Sequence, residues 1–130
     1  MRALVVDDSR AMRMMIGRLL QQAGFEILQA GDGQEALDVL GGLEPHELPT
    51  LCTVDWNMPV MDGLTFVQST RQRPEWRNLT LMMVTTESEG HQVVRALAAG
   101  AHEYLIKPFT AEAMADKLDI LGLDPSRSAA

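Results

Sequence analysis

The sequence predicts an α/β protein built on a doubly wound, five-stranded parallel sheet with five helices. Three observations predict it. Short apolar runs alternate five times with segments of helical spacing. The runs are mostly apolar at consecutive positions, as strands buried on both faces are. Four of them end directly at a residue that carries chemistry: Asp7, Asp55, Thr85 and Lys107. In a doubly wound sheet the strand ends line one edge, and ligands bind there.

Each element has its own signal. Ala3–Val6 reads as a first strand ending at Asp7-Asp8. Met12, Met15, Ile16, Leu19 and Leu20 then recur at helical spacing, with Ser9 as N-cap and Gly24 as the stop. Phe25–Ala30 is the second strand. Asp32 and Glu35 form a capping-box-like pair opening a helix through Leu40. Gly41 to Pro49 is a loop, and Leu51–Val54 a third strand ending at Asp55. Leu64–Gln72 is a helix, broken by Pro74. Leu79–Val84 is the fourth strand, Glu89–Ala99 the fourth helix, and Gly100 its stop. Tyr104–Ile106 is the fifth strand, ending at Lys107-Pro108. Thr110 caps a last helix with Met114, Leu118 and Leu121 on one face. The domain is expected over residues 1–122, with a frayed tail over 123–130.

Bulk properties narrow the class. A chain of 130 residues, 46% of them hydrophobic, suits one domain with one packed core. A net charge of -7 argues against a nucleic-acid or anionic-membrane binder, which needs clustered Lys and Arg. No apolar run is long enough to span or enter a membrane. The single cysteine, Cys52, lies in an apolar run and cannot form an internal disulfide, which fits a cytoplasmic location. His46, His91 and His102 share no zinc-ligand spacing. The chain is expected to be a monomer.

The strand ends carry the functional argument. Taken singly, an Asp after a strand is a turn residue, a Thr ending a strand is β-propensity, and Lys-Pro is a surface turn. Together, Asp7, Asp8, Asp55, Thr85 and Lys107 would meet in one crevice under this topology. Three carboxylates in one crevice repel, and a hard divalent cation with oxygen ligands relieves that. Mg2+ is the default for phosphate chemistry. One carboxylate is then a nucleophile able to form an aspartyl phosphate. Lys107 offers a point charge and Thr85 a hydroxyl to the phosphoryl oxygens.

At these residues the sequence resembles the response-regulator receiver family. The resemblance covers about Ala3 to Leu121 and rests on combined motifs. They are Val-Val-Asp7-Asp8-Ser9, Asp55-Trp-Asn57-Met-Pro59 with Met61-Asp62-Gly63, Val84-Thr85-Thr86, and Tyr104-Leu-Ile-Lys107-Pro108-Phe109. Within the family it is most similar to the stand-alone, chemotaxis-type (CheY-like) members. The resemblance implies a flavodoxin-like strand order 2-1-3-4-5. It implies Asp55 as phosphoacceptor, with Asp8 and Asp55 as side-chain ligands of Mg2+ (Mn2+ can substitute). Asp7 would hold metal-bound water and Asn57 would give its backbone carbonyl. Thr85 and Lys107 would bind the phosphoryl group, and Lys107-Pro108 would be cis.

The resemblance further implies a sensor histidine kinase as donor, and a receiver that catalyses only its own phosphotransfer and dephosphorylation. Asn57 and Glu87 would tune the lifetime. Phosphate on Asp55 would draw Thr85 inward and let Tyr104 turn in, changing a partner face that holds Val93, Ile106 and Lys117. The target is a protein, the flagellar motor switch or another. Alternatives remain open: the receiver part of a larger response regulator, a phosphate sink, or a phosphorelay intermediate. An aspartyl-phosphate phosphatase of the haloacid-dehalogenase type fits less well. It needs an Asp-x-Asp nucleophile motif, and here the residue two after Asp55 is Asn57.

Overall fold

The computed structural model describes residues 1–123. The expected tail therefore lies outside the described residues, apart from Leu123. The elements are β1 (Arg2–Val6), α1 (Arg10–Gln22), β2 (Glu26–Ala30), α2 (Gly33–Gly41), β3 (Leu51–Val54), α3 (Gly63–Arg71), β4 (Thr80–Thr85), α4 (Gly90–Ala99), β5 (Glu103–Ile106) and α5 (Ala111–Ile120). Two 3-10 turns, Pro45–Glu47 and Pro74–Trp76, interrupt the longer connections. All strand pairs are parallel, in the order β2-β1-β3-β4-β5.

Alternation along the strands divides the core between two faces. Leu4, Val6, Cys52, Val54, Leu81, Met83 and Tyr104 pack with α2, α3 and α4. Ala3, Val5, Leu51, Met82, Val84 and Leu105 pack with Ile16 and Leu20 of α1 and Met114 and Leu118 of α5. The Cys52 thiol lies wholly inside, and burial pushes its pKa up to about 12, so it is inert.

The helix starts follow from short polar side chains. Ser9, Asp32, Asp62 and Thr110 each accept a hydrogen bond from the backbone N–H three residues on, satisfying a donor the helix leaves orphaned. Glu35 completes its turn differently from a capping box: its carboxylate accepts the Gly31 N–H at 3.1 Å, one residue before the cap. Gly24 and Gly100 end their helices at positive φ, as expected of stops.

Met15 departs from expectation. It is exposed, as is Met14, and α1 buries Ile16, Gly17 and Leu20 instead. Gly17 marks the buried face. Its backbone lies against Ile27 of β2, where even an added Cβ would stand 3.5 Å away in ordinary contact, so this face of the helix seats on the sheet and Met15 lies off it. At the far end of the sheet, the Arg71 guanidinium ties α3 to the neighbouring loops. It donates to the carbonyls of Leu79 (2.7 Å) and Gly100 (3.1 Å) and lies 3.3 Å from His102 Nδ1.

Register positions the site. Val6 pairs with Val54, and Val54 with Met83. The ladders continue one residue further: Asp55 N–H donates to Val6 O (3.0 Å), Asp7 N–H to Ala30 O (3.1 Å) and Lys107 N–H to Thr85 O (2.8 Å). Asp7, Asp55, Thr85 and Lys107 thus leave the sheet along one edge.

Candidate phosphoryl-acceptor site

Asp7, at the end of β1, is fully buried. One carboxylate oxygen accepts the Ser9 N–H at 2.9 Å, and the other faces Lys107 Nζ at 2.7 Å. Arg13 of α1 donates to the Asp7 backbone carbonyl at 2.6 Å. Asp55 is 9% exposed and meets the same Lys107 Nζ at 3.3 Å. Asp8 is exposed beside them. One carboxylate oxygen from each of Asp7, Asp8 and Asp55 lies within 4.8 Å of the others.

The charge of this cluster is unbalanced. Three carboxylates face one ammonium, Lys107, leaving two negative charges over within a largely buried pocket. Oxygen ligands at this spacing suit a hard divalent cation, which would cancel that surplus. Asp7, Asp8 and Asp55 could hold it. They are the only such metal-competent group among the described residues, and none of the histidines belongs to one.

The mouth of the site is framed by polar bonds. Asn57 donates its side-chain amide to Glu87 Oε1, bridging the β3–α3 and β4–α4 loops. Glu87 Oε2 accepts from Gln92 Nε2 at 2.8 Å. These bonds, that from Gln92 foremost, hold the Glu87 carboxyl below the usual range, so it is ionised at neutral pH. Gln92 Oε1 also accepts the Glu89 N–H at 3.4 Å, so the first turn of α4 supports the bridge. Thr85 is buried, and its hydroxyl accepts the Glu87 N–H at 3.4 Å.

Tyr104 is turned inward. It is 7% exposed and donates its hydroxyl to Glu87 O at 2.7 Å. Burial, followed by the charges of Glu87 and Asp55, raises its pKa, so the phenol is neutral and a donor. The face across α4, β5 and α5 has Ile106 exposed, Val93 half-buried against the core, and Lys117 Nζ paired with Glu103 Oε1 at 2.8 Å. The Lys107-Pro108 peptide is cis.

Some residues escaped the reading of the sequence. Gln92 and Arg13 carried no motif. Gly63 stood only in the Met61-Asp62-Gly63 motif, ahead of a helix expected from Leu64; in the structure it opens α3, its N–H donates to Trp56 O at 2.8 Å and its Cα faces the Asp55 carbonyl closely. The Asp-Gly step before an apolar run was the available signal, but a cap explains it equally well.

Similarity to known proteins agrees with this geometry. The chain is 41% identical over 132 residues to a chemotaxis protein CheY homolog of Campylobacter jejuni, covering 100% of this chain and 99% of that protein. It is 37% identical over 122 residues to chemotaxis protein CheY1 of Helicobacter pylori, covering 93% and 96%. The structure of the chemotaxis response regulator CheY4 of Vibrio cholerae superposes with a TM-score of 0.83 at 34% identity, covering 92% and 97%. Residues 3–119 match the response regulator receiver domain, and the chain belongs to that family.

Proposed function

We propose that Asp55 is the phosphoacceptor of a two-component phosphorelay, acting in chemotaxis-type signalling in the cytoplasm. One observation carries the assignment: Lys107 Nζ bridges Asp7 and Asp55 within a three-carboxylate cluster. A receiver takes its phosphoryl group from a histidine kinase and passes its state to a downstream target. In this chain an Asp55 carboxylate oxygen attacks the phosphorus of a phosphohistidine. The new O–P bond forms as the N–P bond breaks, and the imidazole leaves with the electron pair.

Asp7, Asp8 and Asp55, with the Asn57 backbone carbonyl, would hold Mg2+. Bound there, it would neutralise charge on the phosphoryl oxygens and the acids. Lys107 is already held at the Asp55 carboxylate and needs little reorganisation to meet a phosphoryl oxygen. Thr85, one strand over, would release the Glu87 N–H and turn its hydroxyl to another oxygen. The Tyr104 hydroxyl is anchored on that same Glu87 backbone. Thr85 and Tyr104 therefore share a segment through which phosphorylation would reach Val93, Ile106 and Lys117. The names of the curated relatives support a motility target. The chain transmits a state and does not turn over an external substrate.

The test is direct. Acetyl phosphate with Mg2+ should add one phosphoryl group, seen by intact mass, and Asp55→Asn should abolish it. Uptake that survives in Asp55→Asn would overturn the assignment. Repeated hydrolysis of small phosphate esters would favour a phosphatase. Capture of partners by wild type and Asp55→Asn, with and without a phosphate mimic, would separate a motility regulator from a phosphate sink or a relay intermediate.

A further inference from the structure

Val60 is, among the described residues, the one non-glycine residue at positive φ, 69°. A β-branched side chain is poorly suited to that conformation. The strain is local and defined. Met61 N–H donates to Pro59 O at 2.7 Å, closing a three-residue γ-turn with Val60 at its centre, in the positive-φ form that is rare and strained.

The neighbours impose this conformation. On one side of the turn, the Met61 carbonyl accepts the Gly33 N–H at 3.2 Å, and the Met61 side chain fills the space that a Cβ on Gly33 would need. Beyond it, Asp62 caps α3 and Gly63 N–H returns to Trp56 O. The loop is clamped at both ends. Glycine would meet the required φ without strain, and asparagine with less.

Among the described residues nothing offsets the valine. Val60 is 83% exposed, the most exposed of the large hydrophobic residues described, so its side chain contributes almost no burial to the fold. It stands five residues after Asp55, in the loop that also carries Trp56 and Asn57. The mouth of the site is otherwise polar and acidic, with Asp8, Asn57 and Glu87 around it. Such a rim repels an approaching phosphoryl group and offers no apolar grip. Val60, with exposed Pro59 and half-buried Met58 beside it, supplies one.

We propose that Val60 is a specificity-determining contact for the protein phosphodonor, pressing on the surface that surrounds the phosphohistidine. The proposal rests on Asp55 as phosphoacceptor. Val60 takes no part in the chemistry: a small donor reaches Asp55 without touching it, whereas a protein donor must lay its surface over the loop.

The test compares two donors on three variants, Val60→Asn, Val60→Gly and Val60→Ile. The donors are acetyl phosphate and a panel of autophosphorylated histidine kinases from the source genome. Val60→Asn and Val60→Gly relieve strain and should melt no lower than wild type. Both should keep the wild-type rate with acetyl phosphate. With the kinase that phosphorylates wild type fastest, kcat/KM should fall about fivefold or more, carried in KM, as for loss of an apolar interface anchor. Val60→Ile keeps the branched side chain and should restore transfer. Equal losses with both donors would overturn the proposal, because the loop would then act on the chemistry itself. Unchanged transfer from every kinase would overturn it too, while leaving Asp55 as acceptor. If wild type takes phosphoryl from neither donor, the acceptor assignment and this proposal fall together.

Discussion

Gly63→Ala tests how closely the acceptor loop is built. The added Cβ would lie 2.1 Å from the Asp55 carbonyl oxygen, 2.9 Å from its carbonyl carbon and 3.0 Å from Trp56 Cα. All three atoms are backbone, so no rotamer change relieves the clash. Even a close C···O contact needs about 3.3 Å, so the loop must give by roughly 1.2 Å. That movement breaks the Gly63 N–H to Trp56 O bond, worth about 1 kcal/mol. Overpacking adds about 1–3 kcal/mol, for a total of about 2–4 kcal/mol. An unfolding entropy near 2.1 cal/mol/K per residue converts this to a fall in melting temperature of about 7–15 °C. A carboxylate displaced by about 1 Å would also slow phosphorylation, by up to about a hundredfold. Circular dichroism melts, and acetyl phosphate labelling at a temperature where the variant is folded, read the two effects separately. Gly100→Ala is the control. Its Cβ would lie 2.5 Å from Arg71 Cγ at φ 121°, at the opposite end of the sheet. It should destabilise without slowing the labelling of folded molecules. A Gly63→Ala protein with an unchanged melt and an unchanged labelling rate would refute the reasoning.

Further outcomes follow from the same geometry. Lys107→Ala removes the cation shared by Asp7 and Asp55, costing about 1–3 kcal/mol without metal. Mg2+ should bind this variant more tightly than wild type, read by Trp56 fluorescence; weaker binding would contradict the shared-carboxylate picture. Glu87→Ala or Asn57→Ala breaks the bridge over the mouth and should speed loss of the phosphoryl group about threefold or more, roughly 0.65 kcal/mol in the barrier. An unchanged decay rate in both would remove the two residues from lifetime control. His102 Nδ1 accepts the Leu81 N–H at 3.1 Å, and burial, then the Arg71 charge, lowers its pKa from 6.5. The unfolded chain therefore takes the proton first as pH falls. Stability from His102 is complete above pH 6.5 and is lost below it, down to the folded value. Urea midpoints should fall over that window in wild type and fall less in His102→Asn, whose amide oxygen can accept the same N–H without titrating.

Local chemistry made most of the architecture legible. Ser9, Asp32, Asp62 and Thr110 act on N–H groups three residues away, so the sequence alone reveals where helices begin. Gly24 and Gly100 mark ends for the same short-range reason. The buried stripe of α1 was less legible. Spacing cannot tell that the helix seats on Gly17, because that depends on Ile27 across the interface.

By itself, the sequence determined the succession of strands and helices and set Asp7, Asp55, Thr85 and Lys107 at strand ends. Both are properties of residues within a few positions of one another. The tertiary structure decided which of those residues touch. Lys107 reaches Asp7 across 100 positions and Asp55 across 52, because parallel register brings three strand ends level. It also decided that Tyr104 lies inside on the Glu87 carbonyl, that Asn57 and Glu87 bridge two loops, and that Val60 is held at φ 69°. In each case the outcome depends on neighbours supplied by distant parts of the chain, and no local preference encodes it. Val60 shows this most plainly, since its own preference opposes the conformation that its loop imposes.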